Sequence, residues 1–243
     1  MLKPLLQRLP HGRPFGLPEL AEHGISPVLA AKYARSGWLV RLEHGTYGYP
    51  NDALQLDECL LYLQKRSPGL HVGGKAALSW QGIRHNMSSR STIHLWGTRR
   101  FKLPEWFFSR FPVRYHQRDL FDLKQLQSLL PDEGMVRLAD HADGVCVSGR
   151  ERALIEVLNE VGVTQDIEEA THLFESFTSM RLDVVGALLT ASTRIKTVRL
   201  FLQLAEQSNA IDVIALRERF TLKLGSNARW TRRLQDGSLL TIK

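Results

Sequence analysis

LPELAEHGISPVLAAKYARSGWLVRLEHGTYGYP, residues 17–50, decides how the chain begins to fold. Pro18 suits the first turn of a helix, and Leu17, Leu20 and Ala21 share its inward face. Gly24 is a C-terminal stop. Ser26-Pro27 then signals a second start, with Ser as N-cap and Pro at the first helical position. That helix, PVLAAKYARSG, runs to Gly37. Two β-prone runs follow, Trp38 to Leu42 and Thr46 to Tyr49, around a Glu43-His44-Gly45 turn, which is a hairpin signal. Two short helices joined by a tight Gly-containing turn and followed by a hairpin read as a winged helix-turn-helix, whose second helix enters the DNA major groove. Upstream, Leu2, Leu5, Leu6 and Leu9 have the i, i+3, i+4, i+7 spacing of a short amphipathic helix, broken by Pro10 to Pro14. A small helical subdomain with an unrelated hairpin is the other reading of the same pattern.

Position assigns roles within the first reading. Ile25, Leu29, Tyr33 and Trp38 lie at core-facing spacing with Leu20. Val28, Ala31, Lys32, Arg35 and Ser36 fall on the groove-facing side, next to the capping Ser26. Lys32 and Arg35 can reach phosphates or the O6 and N7 acceptors of guanine. Arg41, His44 and Tyr47 belong to the hairpin, where contacts to the sugar-phosphate backbone or minor groove are expected. The plain alternative for each charged residue is a solvated surface group.

Composition agrees with a globular chain. Its 243 residues are 43% apolar with five Trp, enough for a substantial core. No run reaches the ~18 to 20 apolar residues of a membrane span, and MLKPLLQRLP lacks the pattern of a secretion signal. Cys59 and Cys146 are the two cysteines, far apart, so reduced thiols in a cytoplasmic protein are expected. The net charge of +7 is unevenly spread. Residues 1–50 carry six Lys/Arg against three Asp/Glu, residues 51–120 eleven against five, and residues 121–243 fifteen against seventeen. The basic excess therefore sits in the first half, which suits a polyanionic partner such as nucleic acid, although an anionic membrane face or solubility alone would fit it too.

Residues 51–243 read as a larger α+β domain, strands first and helices later. LQLDECLLYLQKR is a helix with Leu56, Cys59, Leu60 and Leu63 on its apolar face. STIHLWGT and FPVRYHQRDLF are strands, VRLADHADGVCVS holds a further β-prone piece, and SGRERALIEVLNE is a helix. Four helices follow, near 166–179, 181–191, 194–208 and 211–221, with LLTIK as a closing strand. Between the first helix and the first strand, GLHVGGKAALSW runs G-x-x-x-x-G-K, one residue short of a phosphate-binding loop. Ala76 stands where that loop needs Ser or Thr to hold Mg²⁺, so the segment is read as a structural joint. Gly73-Gly74 turn the chain into a helix whose Ala76, Ala77 and Trp80 face inward. His71, His85, His94, His116 and His141 are scattered without metal-ligand spacing, and Asp140-His141-Ala142-Asp143 reads as a polar turn. No G-x-S-x-G elbow is present, and Cys59 lies on an apolar face. No catalytic, cofactor or metal site is therefore expected, and no enzyme.

The order of these segments resembles the AbiEi family of antitoxins from type IV toxin–antitoxin systems. The resemblance rests on residues 17–50, GGKAALSWQGIRH, the TIHLWGT and VRYHQRDLF strands, SGRERALIEVLNE and the helical tail. It implies an N-terminal winged helix, residues 1–50, that binds inverted repeats in the double-stranded DNA of its own promoter, with self-association on that DNA. It also implies a C-terminal domain, residues 51–243, that opposes an AbiEii-like toxin of the nucleotidyltransferase class, with or without direct contact, in phage defence or the upkeep of mobile elements. DNA-reading roles carry over only to the helix from Ser26 to Ser36 and to the hairpin. The basic cluster Arg84, Arg90, Arg99, Arg100 and Lys102 is an extension of the DNA-facing surface suggested by charge alone. A winged-helix regulator without antitoxin activity, using its second domain for dimerisation or ligand sensing, is the alternative function.

Overall fold

Two glycines shape the start of the chain. The computed structural model describes residues 9, 11–84, 92–138, 144–226, 229–233 and 239–242. Phe15–Gly16 (β1) leads directly into helix Leu17–Glu22 (α1), where Glu19 accepts the Gly16 N–H at 3.1 Å. Gly24 has φ +73, and the N–H groups of Gly24 and Ile25 donate back to Ala21 and Leu20, each at 2.9 Å. That left-handed closure favours glycine and leaves Ile25 and Leu20 packed together as its apolar clasp. Pro27–Arg35 (α2) follows, with Ser26 Oγ accepting from Leu29 N at 3.3 Å. It ends by the same device at Gly37, φ +77, where Trp38 N donates to Tyr33 O at 3.0 Å. Val40–Glu43 (β2) and Thr46–Gly48 (β3) form the hairpin, and β1 pairs with the far side of β3, giving the order β1-β3-β2.

Leu9, Phe15, Leu20, Ile25, Tyr33, Leu39 and Tyr47 fill a hydrophobic cluster inside this unit, separate from the larger one that begins at Cys59. Two expected core positions differ. Trp38 is 43% exposed and Leu39 takes the buried place, because Trp38 is spent closing α2 and the strand starts only at Val40. Ala21 is exposed, leaving Leu20 as the buried residue of α1. Of the helix expected near the N-terminus, only Leu9 lies within the described residues.

The remainder is mixed α+β. Helix Leu56–Arg66 (α3) leads to His71–Val72 (β4), then Gly74–Trp80 (α4), Ile93–Gly97 (β5), Glu105–Phe108 (α5) and Val113–Gln117 (β6). Leu123–Leu129 (α6), Met135–Leu138 (β7), Val145–Ser148 (β8) and Arg150–Glu160 (α7) follow. The tail holds Ile167–Glu175 (α8), Leu182–Ala191 (α9), Ile195–Ala205 (α10), Val213–Arg219 (α11), Trp230–Arg233 (β9) and Leu239–Ile242 (β10). The five-stranded sheet has the order β6-β5-β4-β8-β7. Within it β5 and β6, and β4 and β8, are parallel, whereas β4–β5 and β7–β8 are antiparallel. VRLADHADGVCVS thus holds two paired strands where its pattern suggests one β-prone piece, and α6 is a helix that the pattern does not announce. Residues 139–143 between β7 and β8, including Asp140 and His141, lie outside the described residues, as does His85.

GLHVGGKAALSW is explained by α7. The Gly74 N–H at the start of α4 donates to Glu156 Oε2 at 2.9 Å. A Cβ on Gly73 would lie 2.3 Å from that same oxygen and 2.6 Å from Trp96 Cδ1. The helix start that resembles a phosphate cradle is therefore occupied by the protein's own carboxylate. Glu156 is also bonded by Ser148 Oγ at 2.8 Å, lies 3.0 Å from His71 Nε2 and pairs with Arg152 Nε at 3.2 Å. Burial alone would raise its pKa; the His71 hydrogen bond, the charges of His71 and Arg152 and the Gly74 N–H bring it below the usual range.

One turn on, Glu160 lies 3.4 Å from His116 Nδ1 and 3.1 Å from Arg118 Nε, while His116 Nε2 is 2.9 Å from His94 Nδ1. Burial lowers His94 from 6.5 to about 4, helped by the charges of His116, Lys75 and Arg114 and opposed by Glu160. Burial opposes ionisation of Glu160, but His116 and Arg118 outweigh it and bring the group from 4.5 to about 2.

These pairings set the expected response to mutation and to pH. Gly73→Ala should lower stability by about 1 to 3 kcal/mol through overpacking, and Glu156→Gln by about 3 kcal/mol by leaving Arg152 and His71 without their carboxylate, both read from denaturant melts. Folded His94 and Glu160 each bind fewer protons than in the unfolded chain, so stability must fall on acidification. His94 contributes between pH 6.5 and about 4, and Glu160 between 4.5 and about 2. In stability-versus-pH curves, His94→Asn should flatten the upper part and Glu160→Gln the lower.

Candidate nucleic-acid interface

Helix α2 is anchored on one side and free on the other. Ala30 and Tyr33 are buried, Leu29 and Ala31 are half-buried, and Ser26, Val28, Lys32, Arg35 and Ser36 are exposed. Val28 is 77% exposed. The Ser36 hydroxyl donates to Lys32 O at 3.0 Å, so it serves the helix end. The helix PVLAAKYAR contains no acidic residue, and Lys32 and Arg35 both stand in its last turn. Val28, Ala31, Lys32 and Arg35 follow one another at short steps along the helix, Val28 to Ala31 and Lys32 to Arg35 by three and Val28 to Lys32 by four, which places them on one continuous stripe.

The hairpin beside it turns at His44-Gly45, with Gly45 at φ +73. Arg41 and His44 are both exposed at its surface. Tyr47 departs from expectation: it is 4% exposed and belongs to the core of this unit. It stands opposite Arg41 in the ladder, and the register shifts between Arg41 and Glu43. The side chain expected on the hairpin surface is thus a core residue.

A polar cluster that no sequence motif announces fixes the hairpin to the rest of the chain. Arg66 Nη1, at the end of α3, donates to Glu43 Oε1 at 3.0 Å, Thr46 Oγ1 at 2.8 Å and Tyr62 OH at 2.8 Å. Thr46 Oγ1 donates to Glu43 Oε1 at 3.1 Å and lies 2.9 Å from Tyr62 OH, while the Arg66 guanidinium sits 5.2 Å from the Tyr62 ring centre. Lys65-Arg66 is visible in the sequence as a basic helix end. Its partner Glu43 lies 23 residues away, beyond any local spacing rule.

Tyr62 also meets Trp106 edge to face, with ring centres 6.3 Å apart. That contact places the segment after β5 against α3. Arg99, Arg100 and Lys102 are exposed in that segment, as are Arg110 farther along it and Arg114 on β6. Arg84 is exposed just past α4, where its Nε donates to Ser79 O at 3.2 Å. Arg90 lies outside the described residues. Cys59 is fully buried, and burial raises its thiol to about 12. Among the described residues, no group of three or more His, Cys, Asp or Glu side chains is placed to hold a metal ion, and no helix is long and apolar enough to cross a membrane.

Comparison with known proteins bears on this geometry. Residues 1–89 match the family model described as "Transcriptional regulator, AbiEi antitoxin N-terminal domain". Residues 90–242 match the model described as "Transcriptional regulator, AbiEi antitoxin, Type IV TA system". No curated protein matches the chain. Among solved structures, the RV2827C protein from Mycobacterium tuberculosis aligns with a TM-score of 0.57 at 15% identity, over 95% of this chain and 86% of that one. At that identity the likeness concerns the fold alone. With family models matching residues 1–242, the chain belongs to the AbiEi antitoxin family of transcriptional regulators of type IV toxin–antitoxin systems.

Proposed function

We propose that this protein is a DNA-binding antitoxin that represses its own operon through a winged helix, residues 1–50, and opposes a nucleotidyltransferase-like toxin through residues 51–243. The observation that carries the DNA-reading part is the exposed stripe of α2. It ends in Lys32 and Arg35 with no acid on the helix, while Ala30 and Tyr33 hold the other face in the core. A helix so anchored can enter a major groove without unfolding anything, and its cations meet guanine edges or phosphates. Arg41 and His44 on the hairpin then flank the groove as a wing. Ser26 and Ser36 serve as helix caps beside the stripe. The basic segment with Arg99, Arg100 and Lys102, and Arg84 nearby in sequence, extends the same positive surface. Two copies on an inverted repeat would repress the promoter. The antitoxin part rests on the family to which the chain belongs.

Electrophoretic mobility shift on the DNA upstream of the gene tests the reading directly. Wild type should bind with a steep salt dependence because neutralised phosphates release counterions. Lys32→Ala combined with Arg35→Ala should weaken binding by at least about tenfold, and the salt slope should fall by about one for every phosphate left without its cation. Unchanged affinity in that variant would remove α2 as the reading helix. Rescue of growth when the neighbouring toxin gene is driven from a foreign promoter tests the antitoxin part, since repression alone cannot rescue there.

The brace supplies a second measurement. Arg66→Ala should weaken operator binding several-fold by releasing the hairpin and leaving Glu43 uncompensated beside DNA. Glu43→Gln, which keeps a hydrogen-bond acceptor and removes the charge, should preserve or tighten it.

A further inference from the structure

Val28 has no structural employment. It occupies the second position of α2 and is 77% exposed, outside the hydrophobic cluster of its own unit. A β-branched residue is a mediocre helix former, so an exposed valine here gains the fold nothing that alanine would not supply better. Its neighbours sharpen the point. Pro27 is exposed and has no N–H, and the Ser26 hydroxyl accepts the Leu29 N–H. The N-terminal end of the stripe is therefore an apolar surface, Pro27 with Val28, and the other end is the cationic pair Lys32 and Arg35.

The major-groove edge of duplex DNA carries one methyl group, the 5-methyl of thymine; its remaining distinguishing groups are hydrogen-bond donors and acceptors. In helix-turn-helix docking the N-terminal residues of the reading helix approach the base edges most closely. We infer that Val28 reads the 5-methyl of a thymine in each half-site of the operator. This rests on α2 being the reading helix. Lys32 and Arg35 then supply charge-driven affinity, while Val28 supplies base choice without a hydrogen bond.

The test replaces single thymines of the upstream duplex by deoxyuridine, which removes that methyl and leaves base pairing intact. Wild-type protein should lose about fourfold in affinity for each half-site thymine replaced, the worth of burying one methyl, and about fifteenfold when both half-sites carry uridine. Val28→Ala, which touches no part of the core, should bind the thymine duplex about as weakly as wild type binds the duplex carrying uridine in both half-sites. It should also be indifferent to uridine at that position. A flat uridine scan with wild type overturns the inference, as does a Val28→Ala variant that still senses uridine at the same place. If the duplex binds but Lys32→Ala with Arg35→Ala leaves affinity intact, or if the duplex does not bind at all, the assignment of α2 itself falls and the inference falls with it. The two failures are thus told apart by the double variant.

Discussion

A helix with no solvent face cannot carry charge unless every charge is answered from elsewhere, and α7 is such a helix. All ten residues from Glu151 to Glu160 are buried, and four of them are charged. Glu151 is gripped by Arg181 through Nε at 2.9 Å and Nη2 at 2.7 Å. Arg152 reaches Glu156 and the carbonyl of Glu133. Glu156 and Glu160 hold the β4 and β6 histidines and the start of α4. Leaving any one of these groups buried without its partner would cost several kcal/mol, on the order of 3 to 5. The sheet, the α4 turn and the helical tail must therefore close around α7 in one arrangement. Hydrophobic packing on its own would permit sliding; these pairings do not.

The N-terminal unit is attached to that body by directional bonds together with one apolar contact, Leu42 of β2 lying against the larger cluster. Its hydrophobic cluster is its own. Across the joint, Gln55 N donates to Gly12 O at 2.6 Å, Gly12 N donates to Asp52 at 2.7 Å, and the Arg66 cluster holds the hairpin. Hydrogen bonds and partly exposed ion pairs fix orientation more than they add stability. Such a joint suits a module whose placement matters more than its contribution to the melting point. Tyr62 makes the joint continuous with the basic segment after β5, since its hydroxyl meets Thr46 and its ring meets Trp106.

What is legible in the chain follows the range of the forces involved. Ser26, Pro27, Gly24 and Gly37 act on their immediate neighbours, and each is a cap or stop in the structure as its position in the sequence implies. Trp38 and Tyr47 defeat spacing rules because facing in a strand alternates residue by residue. The start of β2 at Val40 and the irregularity between Arg41 and Glu43 reset that alternation. The histidines look isolated in the sequence because their partners are distant: Glu156 is 85 residues from His71, and His116 is 22 from His94. The exposed stripe of α2 and the loop cations are visible as residue types. The brace of Arg66, Thr46 and Tyr62 is not, since only the fold brings α3 to the hairpin.

The close approach of Gly73 to Glu156 constrains inheritance. A side chain at position 73 and a full-length carboxylate at position 156 compete for one volume, because even a single carbon would sit 2.3 Å from the Glu156 oxygen. A lineage that replaces the glycine must first shorten or remove the glutamate, and losing the glutamate alone strands the arginine and histidine it serves. The viable route passes through both positions together, so they drift as a pair or stand still.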